Sequence, residues 1–275
     1  MIKLIALDMD GTLLTDDKKI PEENITAIHA AIAAGVKLVL CTGRPLVGVK
    51  PYLAQLGLSQ EDEYVIVNNG ATTHKTSDWS LVDYRSLSKE DLIYLSRIGQ
   101  SSPAQACIFD TEDYLVLDEE PNSLVQTDAA YVFTQAKKIT LNQALESANI
   151  YFQAMFLAQP EELDQFEADF GPELEERFSC VRSQEVIFET MPLGTTKASA
   201  LAALAKRLGI EPSQIMAMGD GNNDLEMLEF AGLGVAMGNA SDLVKEKAKA
   251  VTSSNNQAGV ARAIYDHILI TKKDA

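Results

Sequence analysis

Four apolar residues, Leu4-Ile5-Ala6-Leu7, run directly into Asp8-Met9-Asp10-Gly11-Thr12. The apolar run reads as a buried strand, and it ends where two carboxylates and a glycine turn begin. Like charges a few ångströms apart repel, and burying them is costly unless something positive lies between them. Such an ending is unfavourable as structure alone. It requires a fold that brings compensating groups to the end of this strand, and a divalent cation beside a phosphate is the natural complement.

The rest of the first third alternates strand and helix. Pro21 opens a helix whose apolar residues Ile25, Ile28 and Ile32 recur at helical spacing, and Gly35 stops it. Val36 to Cys41 is a continuous apolar strand, a helical stretch follows from about Leu46 to Gly57, and Tyr64-Val65-Ile66-Val67 is a third strand ending at Asn69-Gly70. The last third repeats the pattern. A helix runs from about Thr196 to Leu208, a strand from Ile215 to Met218, a helix from Leu225 to Phe230, a short strand over Gly234-Val235-Ala236-Met237, and a final helix from about Gly259 to Ile268. Continuously apolar strands separated by helices indicate a parallel sheet covered on both faces, an α/β fold.

Residues 84–188 read differently. Helical stretches at 88–99, 121–130 and 160–168 alternate with strands richer in polar and aromatic residues, at 106–109, 114–117, 151–157 and 185–190. This is the pattern of an α+β module inserted into the α/β domain. The expected organisation is therefore a core of 1–83 plus 189–275, and an insert of 84–188.

Composition narrows the partners. Against 23 Lys and Arg stand 40 Asp and Glu, a net charge of −17. Affinity for nucleic acid or anionic membrane comes from basic residues, so neither is an expected partner. Cys41, Cys107 and Cys180 are widely spaced and odd in number, as in a reduced, cytoplasmic protein. No secretory leader pattern and no apolar run near the ~18 residues of a membrane span is present.

Three further groups complement the opening pair. Cys41-Thr42-Gly43-Arg44 places a hydroxyl, a flexible glycine and a guanidinium after the second strand. Lys197 lies in the first turn of a helix, where its charge opposes the helix dipole. Gly219-Asp220-Gly221-Asn222-Asn223-Asp224 is an acidic, amide-rich loop after a strand. In open α/β sheets, ligand sites gather beyond the carboxyl ends of the strands, where all of these can meet. The inventory suits phosphoryl transfer. Asp8 and Asp220 can hold Mg2+, while Thr42, Lys197 and turn N–H groups can hold phosphate oxygens. A carboxylate is a competent nucleophile once the incoming phosphate is neutralised, and Asp10 is placed to move a proton.

Asp8-Met9-Asp10-Gly11-Thr12-Leu13-Leu14, Thr42-Gly43-Arg44, Lys197 and Gly219-Asp220-x-x-Asn223-Asp224 resemble, in order and position, the four motifs of the haloacid dehalogenase (HAD) superfamily. Asn69-Gly70-Ala71 and the long insert resemble its Cof-type sugar phosphatases. The resemblance implies a Rossmann-like parallel-sheet core with an inserted α+β cap of the C2 type. It implies an Mg2+-dependent phosphatase of small phosphorylated metabolites, sugar phosphates foremost. Asp8 would be the nucleophile that becomes aspartyl-phosphate. Asp10 would be the general acid/base, with its backbone carbonyl on the metal. Asp8, Asp10 and Asp220 would make up the protein share of the metal site. Thr42, Gly43 and Lys197 would bind phosphate, with Met9 and Asn223 beside them, and Asp224 would orient Lys197 from behind. One departure is visible: Ala198 stands where family members often have Gly.

Plainer readings compete at single positions. Thr42-Gly43 alone is a turn, and Arg44 either contacts substrate or pairs with a carboxylate. His29 and His267 read as surface residues, while His74 can approach the cap. Trp79 and the aromatic residues of the insert read as core, and 110–120 as a solvated hairpin. A calcium loop fails at both acidic segments, because the EF-hand pattern needs Gly at position six and Glu at twelve. A signalling receiver would carry its phosphorylated Asp on the third strand, which here ends in Asn68-Asn69. A phosphomutase or phosphotransferase on the same scaffold is the alternative that no single residue separates from a phosphatase.

Overall fold

The computed structural model describes residues 1–58 and 62–269. The first segment contains β1 (Leu4–Leu7), α1 (Glu22–Ala33), β2 (Lys37–Cys41), α2 (Lys50–Gln55), β3 (Tyr64–Val67), β4 (Thr72–Lys75) and β5 (Leu81–Tyr84). The insert contains α3 (Lys89–Gln100), β6 (Gln105–Phe109), β7 (Tyr114–Leu117), α4 (Ser123–Tyr131), β8 (Ala136–Ile139), α5 (Leu141–Glu146), β9 (Gln153–Leu157), α6 (Pro160–Glu175), β10 (Phe178–Gln184) and β11 (Ile187–Pro192). The final segment contains α7 (Lys197–Leu208), β12 (Ile215–Gly219), α8 (Leu225–Phe230), β13 (Leu233–Ala236), α9 (Asp242–Lys247), β14 (Ala250–Val251) and α10 (Gly259–His267).

The first sheet has the order β14-β13-β12-β1-β2-β3-β4-β5. Its strands from β14 to β3 are parallel, and β4 and β5 turn back antiparallel at one edge. Side chains alternate across the sheet. Ile5 and Leu7 pack with Ala27, Leu53 and Ile264 under α1, α2 and α10. Leu4 and Ala6 pack with Leu201, Leu228 and Val244 under α7, α8 and α9. Cover on both faces is why these strands read as unbroken apolar runs.

The insert builds its own sheet, β10-β11-β9-β6-β7-β8. Ala106, Ile108 and Phe156 face a core made with α3, α5 and α6. Cys107, Phe109, Met155 and Ile187 face the other way, partly covered by α4. Local signals fix the helix starts. Ser88 and Asp91 form a reciprocal cap on α3, and Thr196 and Ser199 form another on α7.

Several expectations shift. β4, β8 and β10 lack a clear apolar run, because Thr, Lys and Ser carry backbone pairing at or near sheet edges. The helix expected at 160–168 continues to Glu175 through Gly171-Pro172, since Leu174 is buried against the cap sheet. The helix expected from Leu46 to Gly57 begins as a separate 3-10 turn. Segment 110–120 is a hairpin with a buried interior rather than a solvated one. Asp110 is buried and accepts hydrogen bonds from the Glu112 and Asp113 N–H groups and from Asn149 Nδ2. β5, through Tyr84, belongs to the first sheet, and β11, through Pro192, belongs to the second. A division placed after residue 188 therefore falls inside β11. Glu189 belongs with the second sheet.

Candidate active site

Strands β12, β1 and β2 are neighbours, with Leu7 level with Met218 on one side and Leu40 on the other. Asp8, Thr42 and Asp220 follow these three strands directly. The Asp8 N–H donates to the Met218 carbonyl at 3.0 Å, and the Thr42 N–H to the Ile66 carbonyl at 2.9 Å. The ladders thus run one residue past the strands, and parallel alignment delivers the three side chains to the same edge.

Lys197 is almost completely buried at the first position of α7. Its Nζ donates to Asp8 Oδ1 at 2.6 Å and to Asp224 Oδ1 at 2.7 Å. The other Asp224 oxygen accepts the N–H groups of Asp220 and Gly221, each at 3.0 Å. Burial disfavours the charge on Lys197, but Asp224 and Asp8 outweigh it and hold the ammonium well above its ordinary pKa. α7 can sit this close because Gly70, at φ +98, lies against its start. A Cβ there would come 2.3 Å from the Thr196 carbonyl oxygen.

Asp220 is fixed from the opening turn. Thr12 Oγ1 donates to its Oδ1 at 2.8 Å, and Asn239 Nδ2 reaches both its Oδ2 at 3.3 Å and the Gly11 carbonyl at 2.8 Å. Gly11 is required here. Its φ is +78, and a Cβ would lie 2.2 Å from Asp220 Oδ2.

Asp8, Asp220 and Asp224 each offer a carboxylate oxygen within 4.8 Å of the others. Burial, joined by the charge of Asp224, raises the pKa of Asp8 well above the carboxylate range, despite Lys197. Burial likewise pushes Asp220 up to about 6, with Asp224 adding to it. One ammonium does not neutralise three carboxylates. An all-oxygen donor set with excess negative charge fits a hard divalent cation.

Asp10 sits apart from this cluster. Arg44 clamps it through Nε to Oδ2 at 2.6 Å and Nη2 to Oδ1 at 2.7 Å, and Lys18 donates to Oδ1 at 2.7 Å. Burial would raise its pKa, but the two cations prevail and hold it at about 2. Arg44, nearly buried, therefore pairs with a carboxylate of the site. The guanidinium also stands over Tyr52, 5.2 Å from the ring centre, and touches the Tyr131 carbonyl of the insert.

Between the two sheets lies a cavity of about 370 Å3. Asp8, Asp10, Thr42, Gly43, Arg44, Asp220 and Asn223 line its core side. Met9 does not reach it by side chain, which is wholly buried in the core, so only its backbone is available. On the insert side Glu189 is held by Asn69 Nδ2 at 2.9 Å and Gln153 Nε2 at 2.6 Å. Asn68 Nδ2 donates to Gln153 Oε1 at 2.8 Å, and Asn223 Nδ2 to Asn69 Oδ1 at 3.1 Å. This buried amide chain joins the loop carrying Asp220 to the insert. Gln153 and Glu189 carry no motif, and within this network only Asn69, in Asn69-Gly70-Ala71, is marked in the sequence. Asn68 and Asn69 both have φ +52, a conformation asparagine tolerates. Lys18, Asp128 and Asn239 are unmarked in the sequence, and Thr12 is marked only as part of the opening motif. His74 is buried in β4 beside the Trp79 carbonyl, within the core rather than at the insert.

The haloacid dehalogenase-like hydrolase family matches residues 5–264. The chain belongs to that family. YxeH of Bacillus subtilis (strain 168) is 38% identical to this hydrolase over 269 residues, covering 98% of this chain and 99% of that one. The 5-amino-6-(5-phospho-D-ribitylamino)uracil phosphatase YcsE of the same organism is 35% identical over 269 residues, covering 98% and 96%. A haloacid dehalogenase-like hydrolase from Bacteroides thetaiotaomicron superposes with TM-score 0.87 at 27% identity, covering 97% of this chain and 99% of that one. The HAD subclass IIB sugar phosphatase BT4131 superposes with TM-score 0.82 at 23% identity, covering 98% and 100%, a likeness of fold. Core and cap together are thus the architecture of this family, and the chain is a phosphatase enzyme within it. No helix among the described residues is long and apolar enough to cross a membrane.

Proposed function

We propose that this hydrolase is an Mg2+-dependent phosphatase of small phosphomonoesters, sugar phosphates foremost, acting through an aspartyl-phosphate on Asp8. One observation carries the reading. Asp8 follows the central strand β1, is held by Lys197 at 2.6 Å, and lines a cavity shared with Asp220 and the insert. A relative named for a sugar-like phosphate, YcsE, and the fold likeness to a sugar phosphatase support the substrate class.

Asp8 and Asp220, with the Asp10 backbone carbonyl, would hold the metal. When bound, Mg2+ supplies charge that offsets these carboxylates and the dianionic substrate. Lys197, Thr42 and the turn N–H groups at Met9 and Gly43 hold the non-bridging oxygens, with the Asn223 amide beside them. The Asp8 carboxylate attacks phosphorus, the bond to the leaving oxygen breaks, and Asp10 gives that oxygen a proton. Water then attacks the phosphorus of the acyl phosphate, Asp10 takes the water's proton, and phosphate leaves Asp8 as a carboxylate. Ionised by Arg44 and Lys18, Asp10 has no proton to give, so the first step requires Arg44 to turn to the incoming phosphate and Asp10 to take up a proton from solvent; as a carboxylate it then serves as the base of the second step. Asp224 keeps Lys197 aimed. Residues 85–192 act as the cap that encloses the leaving group.

Turnover of p-nitrophenyl phosphate and a panel of phosphorylated metabolites tests the reading. Mg2+-dependent release of inorganic phosphate by the wild type, absent from Asp8→Asn, is expected. Retained Mg2+-dependent turnover by Asp8→Asn would remove Asp8 as nucleophile.

A further inference from the structure

The cap side of the cavity has a chemical character of its own. Met155 and Ile187 come from the face of the cap sheet turned away from its helices, and Phe109 from the same face. They give an apolar wall. Two charged groups interrupt it among the described residues lining that side, Asp128 of α4 and Glu189 of β11, and both are acidic. Among the described residues lining that side, no cap cation stands beside them.

The two carboxylates are held differently. Both Glu189 oxygens are occupied, one by Asn69 and one by Gln153, so Glu189 is anchored into the framework. Asp128 accepts one hydrogen bond, from the Tyr114 hydroxyl to Oδ2 at 2.9 Å, and Tyr114 is itself buried. That bond engages one oxygen of a carboxylate that lines the cavity. The cations opposite, Arg44 and Lys18, are engaged with Asp10. Asp128 is thus an oriented acceptor placed over the phosphate site and not neutralised by a cap partner.

We propose that Asp128 is a specificity-determining residue, accepting a hydrogen bond from a hydroxyl or amine of the leaving group, and that with Glu189 it selects phosphate esters whose alcohol portion is neutral or cationic. The inference rests on the phosphatase reading and narrows it. A second carboxylate or phosphate on the leaving group would meet two cap carboxylates in a confined, partly apolar space, which is discrimination by repulsion. A hydroxyl or ammonium there meets an acceptor that would otherwise stay unsatisfied when the substrate excludes water. The cavity volume lies near the lower end of the range for ligand sites, which suits a single sugar or similarly small alcohol.

The test compares kcat/KM of the full chain with Mg2+ for p-nitrophenyl phosphate, glucose 6-phosphate, glucosamine 6-phosphate and 6-phosphogluconate. Glucosamine 6-phosphate replaces the sugar's 2-hydroxyl with an ammonium, and 6-phosphogluconate carries C1 as a carboxylate on an open chain. The wild type is expected to favour both sugars over 6-phosphogluconate by at least about tenfold, the weight of one charge-assisted contact. In Asp128→Asn the ratio of glucosamine 6-phosphate to 6-phosphogluconate is expected to fall by about tenfold, through KM for the amine. Because the readout is a ratio within one protein, a general loss of activity does not imitate it. Tyr114→Phe, which unties Asp128 but keeps its charge, is expected to weaken discrimination between the sugars while retaining rejection of the acid. An unchanged ratio in Asp128→Asn, or a wild type that hydrolyses 6-phosphogluconate as well as the sugars, overturns the inference. Hydrolysis of p-nitrophenyl phosphate alongside either result shows that the phosphatase reading survives. No turnover of any ester, p-nitrophenyl phosphate included, overturns both.

Discussion

Lys197 is the residue on which the geometry of Asp8 depends most directly. Its ammonium lies between two buried carboxylates, so Lys197→Ala leaves Asp8 and Asp224 facing each other without a cation. Breaking a buried pair by removing one partner costs about 3–5 kcal/mol. Urea denaturation of Lys197→Ala should show a loss of that order together with loss of turnover. A variant as stable as the wild type would mean that Asp8 and Asp224 take up protons with little penalty. Gly11 is a second sensitive position. Gly11→Ala must place a Cβ 2.2 Å from Asp220 Oδ2 at φ +78. The left-handed backbone alone costs about 1–2 kcal/mol, and the clash displaces a carboxylate of the proposed metal site. Titration of activity with Mg2+ should therefore show a higher half-saturating concentration in Gly11→Ala, and an unchanged value would argue that Asp220 does not hold the metal. At this scale the sequence was highly legible. Asp8, Asp10, Thr42, Lys197 and Asp220 all stand at strand or helix ends, where local patterning marks them. Arg44 was left open between substrate and carboxylate, because its partner Asp10 is 34 residues away.

The elements decide where the cap couples to the site. β11 enters the cap sheet beside β9, and that pairing sets Glu189 against Gln153 and Asn69. Burial pushes the pKa of Glu189 up, against the amides that pull it down. The folded state therefore keeps this proton after the unfolded chain has released it. Its stabilising contribution is present at low pH and is lost as pH rises from the ordinary carboxylate range through the raised folded value. Glu189→Gln does not titrate, so its stability relative to the wild type should increase with pH across that window. Denaturation of both proteins at three pH values measures this, and a pH-independent difference would contradict it. Sequence pattern recovered the apolar strands and the longer helices, but not the short helices α5 and α9, nor β4, β5, β8, β10 or β14. Those strands are stabilised by backbone pairing at sheet margins, and their side chains need not be apolar. It also stopped α6 early, because Gly171-Pro172 is a local stop that packing of Leu174 overrides.

Over the whole molecule, the loops after β1 and β12 are 208 residues apart in sequence where Thr12 meets Asp220. An ion held by Asp8 and Asp220 ties these loops together and stabilises the core by mass action. Mg2+ at a hundredfold excess over its Kd should add ~2.7 kcal/mol, read as a rise in Tm that EDTA reverses along with activity. A Tm indifferent to Mg2+ would place the ion elsewhere or nowhere. Cap and core meet through Arg44 with the Tyr131 carbonyl, Tyr52 with Phe133 at 5.8 Å between ring centres, the hydrogen bonds of Asn68 with Gln153 and of Asn69 with Glu189, and Ala71 packed against Phe152 and Met191. The sequence by itself determined the α/β core, the inserted α+β unit and the charged groups at the strand ends. These depend on periodicity and on short motifs, which are local. Only the tertiary structure decided that Arg44 clamps Asp10, that Glu189 belongs to the cap, and that Asp128 overhangs the site. Each of these is a contact between segments distant in the chain, set by strand order and packing, and no local pattern encodes which two segments meet.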